Sequence, residues 1–201
     1  MKVLQSGRSM IEMLGVLAIV GVLSVGGLMV YAQAMHKYKV YKVTSQVIDT
    51  IQQVRKFYSG AHVYDTLEVY THKPALNITA FEYETDTDTL HHAIGGRVRV
   101  SECSRATNGD NEAFCIVLSD LDRKACADLL AENWYGNLVA IGAIAGGDFV
   151  ETDVMDSAAN KGQVVTEANK LIAYNGAIPI NLSDIANVCA SAGNTLFFKV
   201  K

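Results

Sequence analysis

Residues 13–35 form a run of 23 positions without a charged side chain. At about 1.5 Å of rise per residue the run makes about 35 Å of helix, enough to cross a hydrocarbon core of about 30 Å. Beyond it the pattern changes from apolar on all sides to apolar on one side. Val40, Val43, Val47, Ile51, Val54 and Tyr58 recur at steps of three and four, with Lys42, Asp49, Gln52, Gln53 and Lys56 between them. The spacing predicts one helix from about Ser9 to Tyr58, whose second half lays an apolar stripe along a globular domain. Gly26 and Gly27 stand together inside the apolar run, and each costs a helix about 1 kcal/mol relative to Ala. Bending or local melting is expected there.

Past the helix the pattern is that of a mixed domain. Residues 60–95 show little periodicity and many Thr, Asp and His, and read as a long surface connection. "RVRVSEC" and "EAFCIVL" read as strands, and the Asn108-Gly109 dipeptide between them is a tight-turn signal. A short helix is expected from Ser119 or Asp120, then an apolar strand in "GNLVAIGAI" ended by Gly146-Gly147. Residues 148–176 read as an insertion with a helix around "VVTEANKLIAY", ended by Asn175-Gly176. Ser183 is the expected cap of another short helix whose stop is Gly193, before a final strand "TLFFKV". No internal repeat or low-complexity segment is visible.

Charge changes this picture at two places. Glu12 stands just before the uncharged run, where a carboxylate costs less than the roughly 2.5–3.5 kcal/mol it would at the centre of a spanning helix. Arg8, four residues earlier, is at helical spacing to offset part of that cost. The formal net charge of −4 also hides an asymmetry: residues 1–59 hold seven Lys/Arg against two Asp/Glu, and residues 60–201 hold ten against nineteen. An acidic head on a basic stem gives no nucleic-acid affinity by bulk charge. Lys37, Lys39 and Lys42 follow the run, whereas Lys2, Arg8 and the initiator amine precede it, so positive-inside counting assigns no orientation.

Three readings of the N-terminus remain. In a secretory signal, Lys2 and Arg8 form the basic region and Ala32-Gln33-Ala34 the cleavage site, but the uncharged run exceeds the usual length of about 7–15 residues and Glu12 interrupts its start. A permanent signal anchor is compatible with the composition. Third, "SGRSMIEMLGVLAIVGVL" resembles the class III signal of type IV prepilins, in which a short basic leader ending in Gly is removed on the cytoplasmic side and the hydrophobic helix stays on the mature protein. The resemblance implies residues 1–7 as leader, 8–35 as the transmembrane and assembly helix, 36–59 as its amphipathic continuation and 60–201 as the head. Gly7 becomes the last leader residue, Arg8 the first mature residue and Glu12 the fifth, where pilins place a glutamate. In the family that carboxylate meets the N-terminal amine of a neighbouring subunit, which the prepilin peptidase also methylates. Arg8 departs from the usual Phe, Met or Leu at the first mature position. The partners so implied are other copies of the chain in a helical homopolymer, the prepilin peptidase, the pilus assembly machinery and the inner membrane. The head would be periplasmic before assembly and part of an extracellular filament afterwards. The basic cluster at residues 36–42 fits either anionic headgroups, at about 1 kcal/mol per residue, or the acidic heads of neighbouring subunits.

The four cysteines, Cys103, Cys115, Cys126 and Cys189, all lie in the head and show neither metal nor C-x-x-C spacing. An even number in an exported domain points to two disulfides, with three pairings open. The turn between the two strands favours Cys103 with Cys115, which leaves Cys126 with Cys189. "FCIVLSDLDRKACADL" and "NVCASAGNTLFFKV" resemble the C-terminal part of larger, type IVb-like pilins, whose disulfide staples a C-terminal region onto the sheet. The expected class is therefore α+β: a long N-terminal α-helix, membrane half plus amphipathic half, packed on an antiparallel β-sheet head with a disulfide-stapled C-terminal region.

No enzyme signature accompanies these features. His91-His92 lacks a third ligand at a recognisable spacing and reads as exposed loop histidines. "YETDTDT" and "GGDFVETD" are acidic but follow no EF-hand spacing, and calcium enters only because some pseudopilins use it. Neither a nucleophile elbow nor a P-loop is present. No catalytic residue, metal or cofactor is expected. The leading expectation is a structural pilus subunit, ahead of a pseudopilin or minor pilin of a secretion or DNA-uptake machine and of an anchored binding protein that does not polymerise.

Overall fold

The computed structural model describes residues 10–60, 64, 67, 78–103, 113–134, 138–147, 162–167, 169–174 and 180–201. The chain divides into two units, Met1–Tyr38 and Lys39–Lys201. Helix α1, Met10–Phe57, runs without a break through Gly26 and Gly27. A glycine pair weakens a helix without breaking its hydrogen-bond ladder. Within the second unit, Val40, Val43, Val47, Ile51 and Val54 of α1 are buried, as the three-and-four spacing requires. Gln46 and Thr50 fill the remaining buried positions of that face.

The head is an eight-stranded antiparallel sheet in the order β1-β2-β3-β4-β8-β5-β7-β6. Its strands are β1 (Glu82–Glu84), β2 (Thr89–His91), β3 (Arg97–Cys103), β4 (Ala113–Leu121), β5 (Leu138–Ile144), β6 (Val164–Glu167), β7 (Lys170–Tyr174) and β8 (Asn194–Val200). Helices α2 (Arg123–Ala131) and α3 (Leu182–Val188) join α1 on one face. Val98, Val100, Ile116, Leu118, Leu196, Phe198 and Val200 meet them there in the main core. The opposite face carries a second cluster of Cys115, Val117, Ala140, Ile172, Tyr174 and Phe197. The last strand in sequence, β8, is central and buried on both faces, which explains its near-continuous apolar run.

Several local expectations are corrected. Residues 60–95 are not merely a connection, because β1 and β2 form a hairpin within them. Each strand has only three residues, too few to show alternation, and Asp88 turns the chain at a φ of 54°. The helix expected around "VVTEANKLIAY" is instead the hairpin β6–β7, paired from Val164↔Ala173 to Glu167↔Lys170. Leu171, Ile172, Ala173 and Tyr174 are all buried, and pairing of β7 with β5 overrides the helical spacing. α2 starts at Arg123, not Ser119 or Asp120, because β4 continues past an irregularity to Leu121. Asp122 caps it, accepting from the Ala125 amide at 2.7 Å. Asn181 rather than Ser183 caps α3, accepting from the Ser183 amide at 3.1 Å. That helix ends at Val188, and Gly193, at a φ of 73°, makes the turn into β8 instead. The Asn108-Gly109 turn lies outside the described residues.

Candidate assembly surface

The first unit is defined by what its own chain leaves uncovered. Ile19, Val20, Val22, Leu23, Val25 and Leu28 point around the whole circumference of α1, and all are exposed. The most apolar window of this helix has a mean hydropathy of 2.4 and no buried residue. Such a continuous apolar surface is far larger than a soluble chain ordinarily exposes. Glu12 lies in the first turn of the helix, where the N-terminal dipole favours negative charge, and is exposed. Gly7 and Arg8 lie outside the described residues.

The second unit fixes the amphipathic half of α1 by more than its apolar stripe. The Gln46 side chain donates from Nε2 to the Ala80 carbonyl at 2.7 Å and accepts from the Ala93 amide at 3.1 Å. Thr50 donates to the Gln46 carbonyl at 2.8 Å, so its buried hydroxyl is satisfied within the helix. In the last turn, Arg55 donates from Nε and a terminal nitrogen to the Lys201 carbonyl at 3.1 and 2.6 Å. Tyr58, Tyr64 and Phe114 continue the contact as a chain of tilted rings with centroids 5.2 and 4.9 Å apart. None of Gln46, Thr50 or Arg55 is singled out by chemistry alone. The available signal is that Gln46 and Thr50 occupy stripe positions where an apolar residue would otherwise stand.

Two disulfides hold the C-terminal region. Cys103–Cys115 links β3 to β4 with Cα atoms 5.6 Å apart, and Cys126–Cys189 links α2 to the end of α3 with Cα atoms 5.8 Å apart. Cys126 and Cys189 are buried among the main core residues, as is Trp134, which donates to the Leu129 carbonyl at 2.8 Å and meets Phe198 in a tilted ring pair with centroids 4.6 Å apart.

The two histidines separate. His91 is half-buried, 3.3 Å from Glu84 and 2.9 Å from Thr89. The hydrogen bond from Thr87 holds the Glu84 carboxyl below its ordinary range, opposed by desolvation and aided by His91. His92 is buried rather than an exposed loop residue, because Leu90 and His92 face inward while His91 faces out. Burial pushes its ring below the ordinary histidine range, a bond to the Ser119 carbonyl and the Asp120 charge oppose that, and His91 adds to it. Among the described residues no cluster of three or more His, Cys, Asp or Glu is placed to hold a metal.

Residues 38–199 match a family model described as the PilS N-terminal domain. Among solved structures, TcpA, a type IV pilin from Vibrio cholerae El Tor biotype, is similar over 82% of this chain and 99% of its own, with a TM-score of 0.56 and 13% identity. A type IVb pilin from Salmonella typhi aligns over 81% of this chain and 97% of its own, with a TM-score of 0.48 and 14% identity. A search of curated proteins finds no match. At these identities the structural likeness to TcpA speaks for the fold.

Proposed function

The chain belongs to the PilS N-terminal family and has the fold of a type IV pilin, and from that premise we propose that it is a type IVb-like pilus subunit that polymerises through its N-terminal helix. Family and fold are those of a structural protein, with an apolar helix suited to membrane anchoring and pilus assembly. In this reading the prepilin peptidase cuts after Gly7 on the cytoplasmic side of the inner membrane and methylates the amine of Arg8. The head waits in the periplasm, and assembly moves the helix from lipid into the core of a filament. Residues 8–35 form the transmembrane and assembly segment, residues 36–59 carry the head, and residues 60–201 are the head itself.

The observation that carries the proposal is the apolar surface of α1, exposed on all sides and headed by a single carboxylate at Glu12. A lipid core covers such a surface before assembly, and identical helices cover it afterwards. In either place an isolated carboxylate is costly, so Glu12 wants a cation, and the α-amine of a neighbouring Arg8 supplies one. That amine titrates near 7.7–8.0 and is mostly charged at neutral pH, and methylation keeps the charge.

The deciding experiment is the mass of the N-terminal peptide of the mature protein recovered from sheared surface filaments. A peptide beginning at Arg8, with or without one added methyl group, is expected. A peptide beginning at Met35 would mean an ordinary signal peptidase used Ala32-Gln33-Ala34, and would remove both anchor and assembly helix from the mature chain.

A further inference from the structure

His92 follows β2 and is only 3% exposed. The Ile94 amide donates to its Nδ1 at 3.3 Å, and its Nε2 lies 3.0 Å from the Ser119 carbonyl. An amide only donates and a carbonyl only accepts, so both bonds exist together in one form alone, the neutral ring with its proton on Nε2. The surrounding main chain is equally committed. The His92 amide donates to the Gly96 carbonyl at 3.0 Å, and the Gly95 amide donates to the His92 carbonyl at 2.8 Å. Gly96 has no substitute at this contact, because a Cβ there would come 2.6 Å from His92 Nε2 and 2.0 Å from the Ser119 oxygen. The next residue reaches α1: the Ala93 amide donates to Gln46 Oε1, and Gln46 Nε2 donates to the Ala80 carbonyl. One ring therefore sets the shape of a turn that is itself bonded, through one glutamine, to the long helix and to the segment before β1.

We propose that His92 is a proton-sensitive latch: with its ring neutral it holds the β2–β3 turn in the shape that engages Gln46 of α1, and gaining a proton releases that turn. A proton on Nδ1 turns an acceptor into a donor pointed at the Ile94 amide, so a hydrogen bond becomes a repulsion between two N–H groups. The tight contact with Gly96 leaves no spare space on that side of the ring. The charges acting on His92 come from Asp120 of β4, which favours the proton and is itself 3.4 Å from Arg97 of β3, and from His91 of β2, which opposes it. α1 presents the uncharged amide of Gln46, and the segment Ile78, Thr79, Ala80 and Phe81 has no titratable side chain. Burial is the largest influence and favours the neutral ring. The folded turn therefore binds fewer protons than the open one. Its stability is fully present above about pH 6.5, the ordinary value for an open histidine, and is lost as pH falls from there through the lowered folded value. The latch lies wholly within the second unit, Lys39–Lys201, and does not depend on how the chain assembles.

The test is nitrogen NMR of the full-length chain in detergent micelles. The imidazole signals are followed from neutral to acid pH beside amide hydrogen exchange corrected for its intrinsic pH dependence. The expected result at neutral pH is a bare Nδ1 and a protonated Nε2. Protection at Ala93 and Ile94 should then fall by up to about tenfold per pH unit below about 6.5. Amides of β4 and β8 should keep theirs. His92→Gln, with one acceptor and one donor but no titration in this range, should abolish the acid loss. A ring that titrates at or above the ordinary value, an Nδ1-protonated ring at neutral pH, or acid loss retained in His92→Gln would each overturn the latch. The ring titration of the unaltered protein decides the matter even if the variant fails to fold.

Discussion

The two halves of α1 are built from much the same residues and meet opposite fates. Val22 is 75% exposed, whereas Val43, Val47 and Val54 are wholly buried, although all four sit in one uninterrupted helix. The difference lies in the arrangement of neighbours. Around Val43 and Val47 the outer positions are Lys42, Ser45, Asp49 and Gln52, so one face is left for the sheet. Around Val22 every position is apolar or small, and no single face can satisfy them. A helix half with a stripe is completed by its own chain. One that is apolar all round is left exposed by its own chain, and in the proposed assembly it is completed by lipid or by other copies.

The sharpest way to break that comparison is at Glu12. Glu12→Ala should leave a processed, membrane-held and disulfide-bonded protein, since removing a carboxylate from the edge of an apolar run does not harm insertion. If Glu12 neutralises the Arg8 amine of an incoming subunit, its loss leaves an unpaired buried charge at a cost of about 3–5 kcal/mol, enough to stop filament growth. The measurement is filament yield at matched membrane levels of subunit. Equal yields in the two strains would reduce Glu12 to a partner of Arg8 in its own helix, worth about 0.2–0.5 kcal/mol.

In the head the corresponding extreme is the staple between α2 and α3. Cys126 and Cys189 are 63 residues apart and Cys103 and Cys115 only 12. The chain-entropy model assigns roughly 4 kcal/mol to the longer loop and about 3 to the shorter. Cys189→Ser should therefore lower the denaturant midpoint of the head more than Cys115→Ser, without changing the helicity of the stem. Non-reducing peptide mapping that found crossed pairs or free thiols would refute the connectivity itself. A gentler contrast uses one residue type in both halves. Val47→Ala removes packing from a fully buried site and should destabilise the head by about 2–3 kcal/mol, while Val22→Ala should change that stability by less than about 0.5 kcal/mol. Equal effects from the two would mean that the head also packs on the stem.

What is legible in the sequence follows from how local each cause is. The stem and stripe can be read because helical spacing is set within a few residues, and the central apolar strands because burial on both faces leaves long runs. The hairpin β6–β7 cannot: Val164, Val165, Leu171 and Ile172 satisfy a helical spacing as well as a strand one, and only β5 beside β7 decides between them. The start of α2 moves because β4, paired with β8, is prolonged to Leu121 and leaves Asp122 as the cap, whereas Asn181 displaces Ser183 locally, standing directly before Leu182. Gln46 and His92 are illegible for another reason. Their partners bond through the backbone, which carries no side-chain signal, and Ala80, Ala93 and Ser119 are also distant in the chain, only Ile94, the other partner of His92, being near.

The smallest expected effect is at Gly26 and Gly27, and it probes the stem alone. A Cβ at either position meets nothing within 4 Å, and neither residue has a left-handed backbone, so alanine fits without strain. Each replacement should stabilise the helix by about 1 kcal/mol, chiefly by removing freedom from the melted state. The buried stripe of α1 begins only at Val40. Gly26→Ala/Gly27→Ala in micelles should therefore slow amide exchange across residues 22–31 while the melting temperature of the head stays where it was. A head that melted at a higher temperature would show that the two halves of α1 unfold as one cooperative unit. The separation between a self-completed half and one completed from outside would then be wrong as a statement about stability, however clear it is in exposure.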